Sequence, residues 1–540
     1  MILWMVVIFF DYWQKHPTHY YAFKRFNYLD LSIGLAVLSV VGTGLVIFSK
    51  KRELFAGKLV NGLTVFGTLL LMILLSVASF QFKLYRPIVS DFSEYITLLG
   101  SISYTVLATY ILIMFAYALG ELFCVLLEAN MKTSGQGIIN IAAGLMLLSM
   151  FLFLFGMFGM LKFYTVFLLL LFLLALNWRG AWKFINFTLL KPIKLPKDLN
   201  AFGVICCFLL LFFIGLNLVN VTSPLPKGYD SLTLYINLPG LIRDYSGLVE
   251  GHQPYNWALI MSLGHIIFGK TEVVMAFSSV GGILSLIAMY SLGKNAFEMG
   301  SNYLLAACLV FYITPTIIHQ SSDELKVDLG LLFICLCIVL LFVEWLTRIK
   351  EDKPKEEEVS SIFYFTGEQI QNGSLIVLAG LLTGFALGIK LTALFLFFSI
   401  VAGIWYCLND KITFLGISFI VLFLVFLLKL DDVSALRQYH YGVGVLQWIL
   451  LVIGIGLLFY SYKKNHGQFM RCAKLTLLYC CLIALPMIPW VSKNYYETKS
   501  LSVRALMNGK SVGPNISVKS MQVNWMKAQK EAAKKQKKKR

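Results

Sequence analysis

The sequence predicts an all-α polytopic membrane protein, and three observations carry that prediction. Long apolar runs recur along the chain, and a helix needs only about 20 such residues to cross a bilayer. Charged residues make up 14% and hydrophobic residues 58%, whereas a soluble domain carries about 25% charge. Mean hydropathy is correspondingly high, +0.76. The runs are continuous rather than alternating, which excludes a closed β-barrel. They are also too many and too long for a signal peptide.

Candidate spans lie near 1–12, 29–49, 59–80, 100–127, 137–155, 161–177, 203–221, 271–292, 303–318, 327–348, 375–408, 413–430, 443–461 and 472–490. Lys and Arg in short loops favour the cytoplasm. The stretches KKRELFAGK (50–58) and NWRGAWKFINFTLLKPIKLPKD (177–198) are basic. Placing both inside puts the N-terminus in the cytoplasm and the outer loop 222–270 on the opposite side.

Segment 375–408 decides the rest of the topology. As one span it is 34 residues long and buries Lys390 mid-membrane, where a charge is costly. It would also send Lys463, Lys464 and Arg471 of YSYKKNHGQFMR outward, against the positive-inside bias. Two short helices meeting at Gly388–Lys390 remove both conflicts and bring Lys390 to the outer face. The total is then about 15 helices.

The formal charge of +18 lies largely in short loops and in a C-terminal run ending KKQKKKR. This pattern reports orientation and contact with anionic membrane lipids rather than nucleic acid. The ten cysteines lie mostly in or beside apolar segments, and no pair has disulfide-framework or metal-ligand spacing. Three regions follow: 1–200 with about six helices, 201–490 with the long outer loop and most polar residues, and a polar tail, 491–540. The mixed-charge stretch 348–374 reads as a cytoplasmic loop. The absence of an internal repeat counts against an inverted-repeat transporter.

The outward-facing polar residues of 201–490 collect at three places. The first is the long loop, with Lys227, Asp230, Arg243, Asp244 and His252. The second is HQSSDELKVD (319–328), with Asp323, Glu324, Lys326 and Asp328, and the third is Lys390. A carboxylate can accept the proton of an incoming hydroxyl, and Lys or Arg can hold a departing phosphate. Each feature also has a plainer reading. Asp230 could cap a helix, Asp323 and Glu324 could complement a helix dipole, and Lys390 could snorkel to the interface.

Five pieces in order resemble the GT-C superfamily, in particular bacterial membrane glycosyltransferases of the protein mannosyltransferase and aminoarabinose transferase group (glycosyltransferase family 39-like). They are GYDSLTLYINLPGLI (228–242), QPYNWALIMSLGHIIFGKTE with YSLGKNAF, SSDELKVDLGLLFICLCIVLLFVEW (321–345), GLLTGFALGIKLTALFLF (380–397) and PWVSKNYYETKS (489–500). The resemblance implies a GT-C-like helical bundle whose first outer loop contains short interfacial helices. It also implies a bacterial cytoplasmic-membrane location, with the active site facing outward.

The implied activity is inverting transfer of a sugar from a polyprenyl-phosphate carrier to a lipid, glycan or protein acceptor. Asp230 matches the family's catalytic acid, and Asp323, Glu324 and Asp328 match its second acidic turn. Lys390, with Arg243 and Lys227, is the expected contact to carrier phosphate. Tyr235, Asn237 and His252 are expected at the acceptor or sugar, although relatives often carry a Tyr-His pair nearer the first acid. A divalent cation is compatible with the outer acids, but no ligand spacing demands one. The competing expectations are a polytopic transporter or flippase, and a non-catalytic envelope-assembly subunit.

Overall fold

The computed structural model describes residues 59–79, 92–131, 135–222, 226, 228, 230–250, 252–322, 324–351, 367–427, 440–501 and 506. The expected spans at 1–12 and 29–49, part of the 348–374 stretch and nearly all of the tail beyond 501 lie outside the described residues.

Helices dominate. The first five are α1 (Gly62–Ser79), α2 (Phe92–Leu126), α3 (Gln136–Met157), α4 (Phe163–Leu176) and α5 (Trp178–Ile185). There follow α6 (Ala201–Val221), α7 (Asn237–Tyr245), α8 (Asn256–Ile266), α9 (Thr271–Ala296), α10 (Ser301–Tyr312) and α11 (Pro315–Ser322). The last six are α12 (Asp328–Glu351), α13 (Gly367–Leu387), α14 (Leu394–Leu408), α15 (Lys411–Leu427), α16 (His440–Lys464) and α17 (His466–Thr498). Two-residue strands, β1 (Leu59–Val60) and β2 (Ile193–Lys194), pair antiparallel. Among the described residues eight helices are long and apolar enough to cross a membrane, or ten if each of two bent pairs is one span.

One bent pair corrects an expected straight span, and the other bends where an expected span ends. The 303–318 segment breaks by 69° between α10 and α11. Pro315 opens α11; proline has no N–H to continue the preceding helix and disfavours helical backbone at the residue before it. The 161–177 segment turns by 84° into the stretch beginning at Trp178. Asn177 makes that corner: its side chain accepts from Gly180 N at 3.0 Å and donates to Ala118 O at 2.8 Å. One residue thus caps α5 and ties the elbow to α2.

The chain reverses direction at Gly388–Lys390. Gly380 and Gly384 of α13 pack against Leu482, Ile483 and Pro486 of α17, so α13 and α17 run in the same sense. Phe397 of α14 stacks on Tyr479, while Trp405 lies against Phe469 and donates to Thr476 at 2.9 Å. Hence α14 runs back along α17, and Lys390 sits at the apex of a hairpin. The opposite end of the bundle carries the buried pair Glu344–Arg348, 2.8 Å apart, whose guanidinium also donates to Asn130 O.

One large hydrophobic core joins α2, α3 and α4 to α8, α9, α12, α13, α14 and α17. Its centre is α8. Trp257, Leu259, Ile260, Met261 and Leu263 are all at 0% exposure. Of the short helices in the outer loop, α7 turns Arg243, Asp244 and Tyr245 outward. The apolar helix α8 re-enters the bundle instead.

Candidate functional site

Asp230 opens a π-helical turn, Ser231–Tyr235, at the end of the bundle that carries the hairpin apex. The approach depends on Gly228, whose φ of +97° lies in the left-handed region and at which a Cβ would sit 3.2 Å from Glu324 Oε1. Glycine alone meets both demands without strain. The turn is then pinned to the second acidic segment, because Leu325 N donates to Ser231 Oγ at 3.1 Å. Asp230 itself is exposed and its side chain makes no cap hydrogen bond. Among the described residues no hydrogen bond or ion pair engages its carboxylate.

Across from it, two ion pairs organise the remaining charges. Lys326 Nζ lies 2.8 Å from Glu324 Oε2, and Lys390 Nζ lies 2.6 Å from Asp328 Oδ1. All four side chains are between one-quarter and two-fifths exposed, so solvent screens these pairs and neither adds much stability. The hydrogen bond to Glu324, together with the nearby Asp328 and Asp230, holds the Lys326 ammonium above its usual range against the pull of burial. Tyr235 is also raised, first by burial and then by Asp328 and Asp230. Asp230, Tyr235, Glu324, Lys326, Asp328 and Lys390 therefore share one field.

A neutral hub positions the apex. Asn256 N donates to Gly388 O at 2.9 Å and its Nδ2 to Phe385 O at 3.0 Å. Its Oδ1 accepts from Trp490 Nε1 at 2.7 Å, and Ser149 Oγ approaches at 3.3 Å. A Cβ on Gly388 would fall 2.1 Å from that amide, so only glycine lets the hairpin close this tightly. Four elements converge on Asn256, whose partner Gly388 lies two residues before Lys390.

One turn beyond Trp490, the buried Lys493 forms an ion pair of 2.6 Å with the partly buried Glu497. They face His252, which packs edge-on to Tyr255. Burial, reinforced by Lys493 and opposed by Glu497, pushes the His252 imidazole below its usual range.

The remaining sequence-derived candidates divide. Arg243 is exposed and pairs with its neighbour Asp244 at 2.8 Å. The Asn237 amide is committed to the carbonyls of Leu232 and Thr233, closing the π-turn. Lys227 and Asp323 lie outside the described residues. No group of three or more His, Cys, Asp or Glu able to hold a metal occurs among the described residues. Sequence reasoning gave no role to Asn256, Lys493 or Glu497. They lie within the pieces QPYNWALIMSLGHIIFGKTE and PWVSKNYYETKS, where nothing singles them out.

No protein-family model matches this chain, and neither curated proteins nor solved structures give a match. Fold and composition define its class as a helical, multi-pass membrane protein.

Proposed function

We propose that the chain is a membrane glycosyltransferase that moves a sugar from a polyprenyl-phosphate carrier to a hydroxyl-bearing acceptor on the extracytoplasmic side. The observation that carries this reading is the gathering, at one end of the bundle, of an exposed carboxylate that no described residue engages, Asp230, with the partly exposed Lys326 and Lys390. In the proposed step Asp230 accepts the acceptor hydroxyl proton as its oxygen attacks the anomeric carbon. The carbon–oxygen bond to phosphate breaks, and the electron pair leaves with the polyprenyl phosphate. Lys390, released from Asp328, meets the charge that develops there, with Lys326 beside it. The basic residues at the other end of the bundle, Lys411, Lys463, Lys464 and Arg471 among them, support an outward-facing site by the positive-inside bias.

A second reading has an observation of its own. The broken pair α10–α11, the hairpin at Lys390 and the re-entrant α8 are interruptions of the kind transporters use to build sites within the membrane. Reconstituted protein, supplied with a radiolabelled polyprenyl-phosphate sugar, separates the two. Covalent product that disappears in Asp230→Asn supports transfer. Undiminished product in that variant removes Asp230 from the chemistry, and flux without product favours transport.

A further inference from the structure

The elbow after α4 carries a surface that the proposed reaction does not use. Between Trp178 and Lys197 the chain has five cations and no acid. The helix α5 buries Gly180, Ala181 and Phe184 against the bundle. Its outer face presents Trp178 and Trp182 at 61% and 58% exposure, followed by Phe187 at 54%. Arg179, Lys183 and Lys191 are exposed beside them, and residues three and four apart share a helix face. The result is an aromatic stripe flanked by a cationic one.

Two features aim this surface at the membrane. The 84° turn at Asn177 swings it across the direction of α4. In addition, α4 has only 14 residues, roughly 21 Å at 1.5 Å per residue, against a hydrocarbon core of about 30 Å. A helix that short draws its flanking elbow towards the headgroups. The neighbouring acids leave most of the charge available. Glu121 pairs with Lys183 at 2.5 Å, and Asp198 accepts from Ser301 N and Oγ.

We infer that the α4–α5 elbow is a docking site for anionic phospholipid headgroups, with Trp178 and Trp182 seated at the acyl boundary and Arg179, Lys191 and Lys197 contacting lipid phosphate. Tryptophan favours that boundary and cations near it attract anionic lipid.

The test uses the full chain in lipid nanodiscs, with brominated phosphatidylglycerol or brominated phosphatidylcholine as quencher. Subtracting the fluorescence of Trp178→Phe/Trp182→Phe isolates the elbow signal. The expected result is quenching at a several-fold lower mole fraction of the anionic lipid. That preference is lost in Arg179→Gln/Lys191→Gln/Lys197→Gln, while quenching by the zwitterionic lipid persists. In the unmutated protein, rising salt erodes the preference, a readout independent of how the variants fold. Equal quenching by both lipids, or a preference that survives both salt and charge removal, overturns the inference. Protection of both tryptophans from either lipid also overturns it, because a protein then covers the face.

Discussion

Asn256 is the side chain on which the geometry of the candidate site depends most. It serves α3, α8, the hairpin apex and Trp490 at once. Asn256→Ala strips the buried Trp490 indole of its acceptor and Phe385 O of a donor. Each buried group so orphaned costs about 1–3 kcal/mol. The variant is expected to melt several degrees lower in detergent than the parent protein; an unchanged melting temperature contradicts the hub. His252 gives a pH signature. Its folded pKa is depressed, so the unfolded chain binds the proton more readily. Stability is therefore full above about pH 6.5, the unfolded value, and falls as acid protonates the unfolded form first. His252→Gln should flatten that acid-side loss between pH 6.5 and 5, read by thermal unfolding. A variant as acid-sensitive as the parent would falsify the assignment. Asp328 and Lys390 were legible in the sequence because a charge stands out beside an apolar run, and Asp230 because it is an acid in a long loop between apolar spans. Asn256 was not, since a single neutral amide leaves no pattern until the fold supplies its four partners.

At the level of elements, the sequence disclosed most helices and the hairpin, because the cost of burying Lys390 argues directly for a break. It did not disclose the burial of α8: NWALIMSLGHI was placed only within the outer loop 222–270, and contact with α3 and α9 shows it buried. Nor was the bend at Pro315 drawn from hydropathy, which averages over a single proline. Two variants test how these elements are held. Gly388→Ala forces a methyl into the Asn256 amide and should impair any activity at Lys390 more than Gly240→Ala, where a Cβ meets nothing within 4 Å; equal effects would remove the apex constraint. At the far end, Arg348→Met takes the cation from Glu344 in a pair only 3% and 7% exposed. Breaking a buried pair costs about 3–5 kcal/mol, so this variant should be among the least stable by thermal unfolding. A loss below about 1 kcal/mol would mean that water already reaches the pair.

For the molecule as a whole, one end of the bundle carries the candidate site, with Asp230, Lys326 and Lys390, and the other end is basic, with Lys463 and Lys464. In intact cells an impermeant thiol reagent should label a cysteine placed at Asp230 and spare one placed at Lys463, both read in a background lacking reactive native thiols. The reverse pattern would turn the site inward. The composition made the membrane class plain, yet it could not show that α2, α3 and α4 share one core with α8 and α17, because those contacts join residues distant in the chain, Ser149 and Asn256 being 107 positions apart. The most direct measurement of the central claim is steady-state transfer from a polyprenyl-phosphate sugar by the parent protein, Asp230→Asn and Lys390→Gln side by side. Asp230→Asn is expected to lower kcat by roughly 100-fold or more, the scale of a lost general base, while Lys390→Gln chiefly weakens use of the phosphate-bearing donor. Full turnover by Asp230→Asn, or no covalent product from a folded parent protein under any donor tried, would contradict the claim.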